Sequence, residues 1–398
     1  MPFPAPSEAD VMAVLRGVVD PELGSDIVDL GMVNGVEVAD DGVVLVTVAL
    51  TISGCPLRVQ IREDVESKVR GLRGVTAVAV KFGEMTQSQR SEVMQRARRK
   101  AADNAPETEV PLTTRVLAIA SGKGGVGKSS VTVNLASALA ARGFTVGVLD
   151  ADIWGFSVPR MLGVKGRLGA GGDGKIQAHE IPVGAGRIKV VSMGFLVDDE
   201  DMAIMWRGLM LAKALEEFLT KVSWGGIDYL LLDMPPGTGD VQMALGRILP
   251  RAEMLIVTTP ALAAQKVASR VADMARRSYL KVLGVIENMS TFTCDHGEVY
   301  ELFGSGGGLN LATDLGVPLV GQVPLEPAVS AANDAGAPLS VAAPDSGAGA
   351  VFAAVAARIA DELLPPIDMA GCTARVLAAV ESSYSRSGPA PGAQRELP

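Results

Sequence analysis

Ser121-Gly-Lys-Gly-Gly-Val-Gly-Lys-Ser-Ser130 is a glycine-rich turn set between an apolar run, Val116-Leu-Ala-Ile-Ala120, and a helix-like stretch that begins near Lys128. Strand, glycine loop and helix in that order make a phosphate cradle. Gly122, Gly127, Lys128 and Ser129 match the G-x-x-x-x-G-K-[ST] spacing, in which backbone N–H groups wrap the phosphates, the lysine reaches the outer phosphates and the hydroxyl binds Mg²⁺. The expected nucleotide-binding residues are therefore Gly122, Lys123, Gly124, Gly125, Val126, Gly127, Lys128, Ser129 and Ser130. The same loop also satisfies G-x-G-x-x-G through Gly122, Gly124 and Gly127, with Asp150 ending the next apolar run about where a dinucleotide fold carries its ribose-binding acid. Lys128 and the hydroxyl directly after the last glycine have no part in that fingerprint and favour a triphosphate with Mg²⁺. Lys123 is a second cation near the start of the loop, able to stabilise developing phosphate charge in cis or from a partner subunit.

Outward from the loop, apolar runs alternate with helical stretches, the βαβ pattern of a mainly parallel sheet covered by helices on both faces. Strands are expected at residues 115–120, 145–150, 187–193, 227–233, 253–258, 282–287 and 318–323. Ligands of such folds gather at the carboxyl ends of the strands. Leu230-Leu-Leu-Asp233 is an apolar strand ending in a carboxylate, the pattern that holds Mg²⁺ directly or through water. Pro235-Pro-Gly-Thr-Gly-Asp240 follows, in a position to sense the outer phosphate. Asp150 and Asp152 end the second strand, where a carboxylate can orient attacking water or reach the metal shell. Helix capping is the bland alternative for each acid.

A length of 398 residues with 48% apolar content suggests two or three domains with sizeable cores. The net charge of −9 argues against nonspecific binding to nucleic acid or an anionic membrane. Three cysteines do not make a disulfide framework, and the N-terminus shows no basic region followed by an apolar core, so a reducing cytoplasm is expected. His179 and His296 are the two histidines, which excludes metal chemistry built on several imidazoles of one subunit.

Residues 1–85 read as a small α+β domain: a helix over Ser7 to Val19, a strand at Gly42 to Thr51, a helix opened by Ser53-Gly-Cys-Pro-Leu57, and a strand at Val75 to Lys81. Cys55 at a helix N-terminus would be either an activated thiolate, favoured by the dipole, or a small packing residue. Residues 86–112 read as a linker holding a polar helix that ends in Arg96-Ala-Arg-Arg-Lys100. Those cations suit a solvated helix C-terminus; a nucleic-acid or membrane role is the sharper alternative, and no aromatic residues interleave them. The domain that carries the phosphate loop is expected at 113–365, with a helix and disordered tail at 366–398.

The glycine loop resembles the deviant Walker A motif of the MinD/ParA/NifH class of P-loop ATPases, whose signature lysine would be Lys123. Leu149-Asp-Ala-Asp-Ile-Trp-Gly155, Met205-Trp-Arg-Gly208, Leu232-Asp-Met-Pro-Pro-Gly-Thr-Gly-Asp240, Val285-Ile-Glu-Asn-Met-Ser290 and Phe303-Gly-Ser-Gly-Gly-Gly308 narrow the resemblance to the Mrp/ApbC branch, the iron-sulfur cluster carriers. Asp20-Pro-Glu-Leu23 and Ser53-Gly-Cys-Pro56 resemble the PaaD-like domain often fused ahead of it. The resemblance implies an α/β P-loop NTPase preceded by a small α+β domain, acting as an ATP-dependent homodimer that transfers clusters to apoprotein clients. It implies that Lys123 acts in trans, that Lys128 and Ser129 bind phosphate and Mg²⁺, that Asp152 assists hydrolysis, and that Asp233 with Gly237 forms the second switch. Asn288 and the backbone near Pro324 would contact adenine.

Carriers of this branch usually show C-x-x-C after Asn-Met-Ser. Here the stretch is Thr291-Phe-Thr-Cys-Asp-His-Gly-Glu298, so only Cys294 remains, with His296 two residues on and Gly297 where a second cysteine would fall. A dimer would present two cysteines and two histidines, a ligand set acceptable to zinc or a two-iron cluster; a loop that has lost its metal is the alternative. Two other functions stay open: a positioning or partition ATPase, disfavoured by the nearly uncharged tail, and a client-recruiting switch without cluster transfer.

Overall fold

The computed structural model describes residues 4–20, 25–50, 58–103, 105–152, 155–171, 174–196, 208–278 and 280–367, without the side chains of 97, 98, 101, 102, 196, 208 and 209. Cys55, Trp154, Trp206, Arg207 and Cys372 lie outside them, as does the expected tail.

The N-terminal unit is a three-stranded sheet in which Val43–Leu50 is central. It pairs antiparallel with Val33–Val38 and parallel with Ala77–Glu84. Helices Glu8–Leu15 and Arg58–Arg70 bury Val11, Leu15, Ile61, Val65 and Val69 against it. The first helix starts on a Ser7/Asp10 capping box and ends earlier than the expected Val19. Val19–Asp20 instead pairs with Ser25–Asp26. Strand Val33–Val38 carries no clear signal in the sequence because it is an edge, largely exposed and interrupted by Gly35. Helix Gln87–Asp103 seats Val93 in this core, and Lys100 reaches Asp26 at 3.5 Å.

The second unit holds an eight-stranded sheet. In spatial order its strands are His179–Val183, Gly186–Ser192, Thr145–Asp150, Tyr229–Asp233, Arg115–Ser121, Glu253–Thr258, Lys281–Asn288 and Leu319–Val323. The seven expected strands all form, and all pair in parallel. The eighth, His179–Val183, closes one edge antiparallel to Gly186–Ser192. Its half-exposed alternation and Pro182 suit an edge strand, which hid it from a search for buried apolar runs.

Side-chain alternation divides each strand between two cores. Val116, Ala118 and Ala120 face helices Gly208–Lys221, Asp240–Ile248 and Leu262–Arg277; Leu117 and Ile119 face helices Lys128–Ala141 and Gly347–Arg358. Burial on both faces is why these strands read as unbroken apolar runs. From the central Arg115–Ser121 the chain first moves to one side, returns to Tyr229–Asp233 beside it, and then crosses to the other side. That reversal opens a crevice outside the carboxyl ends of the strands.

Candidate functional site

The glycine loop leaves the carboxyl end of Arg115–Ser121 and enters helix Lys128–Ala141 directly, with Gly127 in the left-handed region (φ 78°) as the N-cap. Gly125 has φ 79°. Such angles are strained for residues with a Cβ. A Cβ on Gly124 or Gly125 would meet nothing within 4 Å, so the inner surface of the loop is open backbone. A Cβ on Gly122, by contrast, would stand 2.5 Å from the Ala268 nitrogen and the Val267 carbonyl carbon. Gly122 lets the loop lie against helix Leu262–Arg277, while Gly124 and Gly125 shape the cradle.

Strand register brings the acids to one level. Asp233 is the register partner of Ile119 on one side and Asp150 on the other, and Asp150 is in turn the partner of Ser192. Asp233 is 1% exposed. Its Oδ2 accepts from Lys128 Nζ at 2.7 Å and from Ser129 Oγ at 2.5 Å; its Oδ1 accepts from Thr132 Oγ1 at 2.7 Å. Lys128 is nearly buried and also lies 3.7 Å from Asp152 Oδ2. A hydroxyl and a carboxylate oxygen in contact are a hard-oxygen donor pair of the kind Mg²⁺ prefers, so Ser129 and Asp233 fit that ion.

Asp150 is fully buried. Its Oδ1 accepts from the Asp152 N–H (3.1 Å), and its Oδ2 from the Val158 N–H (3.3 Å) and Ser192 Oγ (3.1 Å). It therefore ties together the two ends of the turn that carries Asp152. Burial, reinforced by the charge of Asp233 and opposed by Lys128, pushes the Asp150 carboxyl up to about 8. Phe156, in the same turn, lies flat enough against Gly194 to forbid a side chain there. A cleft of about 460 Å³ opens beside Asp152, lined by Gly155, Leu211, Pro236 and Asp240 among others.

Lys123 is exposed. Asn288 ends strand Lys281–Asn288 and donates its amide to the Val126 carbonyl at 2.9 Å, so it touches the cradle itself. Met289 follows with φ 57°, the sole residue other than glycine with positive φ among those described. Ser290 N–H then bonds the Val323 carbonyl, and Leu325 N–H the Thr291 carbonyl, which sets Pro324 beside the end of the Asn288 strand. Behind the loop, Asn333 donates to Ser130 Oγ at 2.8 Å and Asn134 donates to the Ser130 carbonyl at 2.9 Å.

Beyond Thr291 the chain makes a small hairpin, Phe292–Thr293 paired with Val299–Tyr300. Its turn is Cys294-Asp-His-Gly297, closed by Gly297 N–H to the Cys294 carbonyl at 2.9 Å. Cys294 is half-buried, His296 exposed, and Gly297 has φ 84°. A cysteine at 297 would be strained in this turn, so glycine there is part of the hairpin's geometry. Among the described residues no three metal-ligating side chains cluster within one chain. The return leg is held by Glu287, whose Oε2 accepts from Gly308 N–H (2.5 Å) and whose Oε1 accepts from Gln322 (2.7 Å). That contact, with Gly307 pressed on the Pro260 carbonyl, accounts for Gly307 and Gly308, whereas Gly304 and Gly306 are set by left-handed backbone at φ 82° and 71°.

Thus the structure brings Lys128, Ser129, Asp152 and Asp233 together and sets Asn288 against the loop, while Cys294 and His296 stand apart on the hairpin. Thr132 joined the cluster without having been singled out in the sequence; its position four residues after Lys128, on the same helix face, was the available signal. Among the described residues no helix is long and apolar enough to cross a membrane.

Residues 113–360 match the family described as NUBPL iron-transfer P-loop NTPase, and residues 8–82 match the family described as iron-sulfur cluster assembly protein. The iron-sulfur cluster carrier protein of Mycobacterium tuberculosis is 44% identical over 348 residues, covering 86% of this chain and 90% of its own. That of Synechocystis is 42% identical over 363 residues, covering 89% and 97%. Among solved structures, a nucleotide-binding protein from Archaeoglobus fulgidus in complex with ADP superposes with a TM-score of 0.50 at 32% identity, covering 64% of this chain and 95% of that one.

Proposed function

The chain belongs to the family of iron-transfer P-loop NTPases, and from that premise we propose that it is an ATP-hydrolysing iron-sulfur cluster carrier or assembly factor that passes clusters to apoprotein clients. The observation that carries the nucleotide half is the convergence of Lys128, Ser129 and Thr132 on the buried Asp233 beneath an open glycine loop. Residues 122–130 wrap the phosphates of ATP. Ser129 and Asp233 would hold Mg²⁺, which would neutralise charge on the outer phosphates. Lys128 exchanges Asp233 for the phosphates. Asp152 faces the cleft beside Pro236 and orients attacking water there. Asn288 and the backbone at Pro324 form the base side of the pocket.

We further read the active form as a homodimer in which the exposed Lys123 reaches the partner's phosphates. Two hairpins then supply two Cys294 and two His296, four ligands for a bridging cluster that is cargo and not a resident group. The division into an assembly unit at 1–85, a linker at 86–112, an ATPase at 113–365 and a tail at 366–398 belongs to the same reading, as does a cytoplasmic location, and no role for nucleic acid or membrane is needed.

The left-handed Gly297 in place of a second thiol favours one alternative: a nucleotide switch that recruits clients and carries no cluster. Anaerobic reconstitution with iron and sulfide separates the two, read by visible absorption and metal per dimer. The expected result is a cluster in wild type that is lost with Cys294→Ala and kept with Cys55→Ala. No metal in wild type, or loss only with Cys55→Ala, refutes the carrier site proposed at Cys294. Phosphate release from ATP that is unchanged in Lys128→Ala would remove the enzyme.

A further inference from the structure

Asp233 receives three side-chain donors, and they are not equivalent through a nucleotide cycle. Lys128 and Ser129 share Oδ2. Both have other partners once nucleotide arrives, since in this kind of loop the lysine moves to the outer phosphates and the hydroxyl to the metal. Thr132 has no such alternative. It sits one turn further into helix Lys128–Ala141 and is 0% exposed, so it presents no open surface to a nucleotide. Its hydroxyl stands 2.7 Å from Asp233 Oδ1 and 3.0 Å from the Lys128 carbonyl. The single hydroxyl hydrogen favours the carboxylate, the stronger acceptor. The threonine side chain is stiff at χ1, whereas the terminal torsion of an aspartate is broad. The rigid group therefore holds the soft one.

We propose that Thr132 is the positioning residue that fixes the Asp233 carboxylate for Mg²⁺, by keeping Oδ1 turned into the core so that Oδ2 faces Ser129 and the metal. The inference rests on the reading of Asp233 and Ser129 as the Mg²⁺ pair and adds the element that keeps the pair set while Lys128 and Ser129 change partners. It also gives the fully buried hydroxyl of Thr132 a role on a helix whose buried positions include both apolar residues such as Val131 and Leu135 and the polar Asn134 and Ser137.

The test is binding of a fluorescent ATP analogue to the full chain as a function of free Mg²⁺, with a parallel titration in EDTA. In Thr132→Val, which keeps the shape and removes the donor, the half-saturating Mg²⁺ concentration is expected to rise about tenfold, as loss of one hydrogen bond to a charged group implies. Binding in EDTA stays at the wild-type level, and Thr132→Ser restores the Mg²⁺ response. Unchanged Mg²⁺ dependence in Thr132→Val overturns the proposal. So does an equal loss of binding with and without Mg²⁺, which would mark a merely structural residue. If the valine variant does not fold, Thr132→Ala is read in the same way. Asp233→Asn, run alongside, isolates the underlying reading: if it also leaves the Mg²⁺ dependence untouched, Asp233 is not the metal residue and the failure lies there.

Discussion

Two glycines of one motif should fail in opposite ways when each is replaced by alanine. A Cβ at position 122 would lie 2.5 Å from the Ala268 nitrogen and the Val267 carbonyl carbon and 2.8 Å from the Val267 oxygen. Carbon contacts are comfortable near 3.5 Å, so loop and helix would have to part by about 1 Å. Both neighbours are backbone and cannot rotate away. Overpacking of this kind costs typically about 1–3 kcal/mol, and at about 2–4 °C per kcal/mol for a unit of this size, Gly122→Ala should lower Tm by about 2–12 °C. At position 124 a Cβ meets nothing within 4 Å. Gly124→Ala should therefore melt at or slightly above the wild-type temperature, because alanine also narrows the unfolded ensemble. Its methyl group nonetheless projects from the cradle and should abolish the rise in Tm that Mg·ATP gives wild type. Thermal melts followed by circular dichroism, with and without Mg·ATP, read both effects. A Gly122→Ala protein that melts with wild type, or a Gly124→Ala protein that keeps its full nucleotide shift, would refute this division of the loop into a packing glycine and a cradle glycine.

Removing the exposed Lys123 as Lys123→Ala should leave Tm and ATP binding near wild type and cut phosphate release by about a hundredfold, the scale of one preorganised charge on a developing oxyanion. Turnover within a factor of two of wild type would exclude Lys123 from the chemistry. Asp150 makes stability depend on pH. Its carboxyl titrates at about 8 in the folded chain against an ordinary 3.8, so the folded form keeps a proton that the unfolded form releases. That contribution is complete below about pH 4 and is lost as pH rises towards 8, at up to about 1.4 kcal/mol per pH unit. Asp150→Asn cannot titrate and should gain about 2 kcal/mol on wild type between pH 5.5 and 7.5 in urea unfolding; parallel profiles would show that Asp150 is already ionised at the lower pH.

Several elements were legible because their signals are local. The glycine loop needs only its own spacing, and the seven parallel strands needed only apolar runs long enough for a sheet buried on both faces. The misses have a common cause. Val33–Val38 and His179–Val183 are edges, half in solvent, so neither periodicity nor apolar density marked them. The first helix stops at Leu15 although helical character runs on, since Val19–Asp20 is claimed by pairing with Ser25–Asp26. The amide of Asn288 bonds the Val126 carbonyl and so ties the end of its strand to the glycine loop, a contact across 162 residues that no window of sequence contains.

What the sequence by itself determined is the inventory: a phosphate loop, an acid at the end of each of two apolar strands, one cysteine and one histidine where two cysteines are usual. Each follows from residue type and short spacing, which local backbone geometry obeys. What only the tertiary structure decided is which of these groups meet. Strand register places Asp150 level with Asp233, the helix after the loop delivers Thr132 to its free oxygen, and a left-handed turn at Gly297 keeps the Cys294 hairpin tight. The first two outcomes depend on segments about a hundred residues apart meeting in space, whereas the Gly297 turn closes within its own hairpin. That meeting is set by how whole faces pack and not by any one stretch of chain.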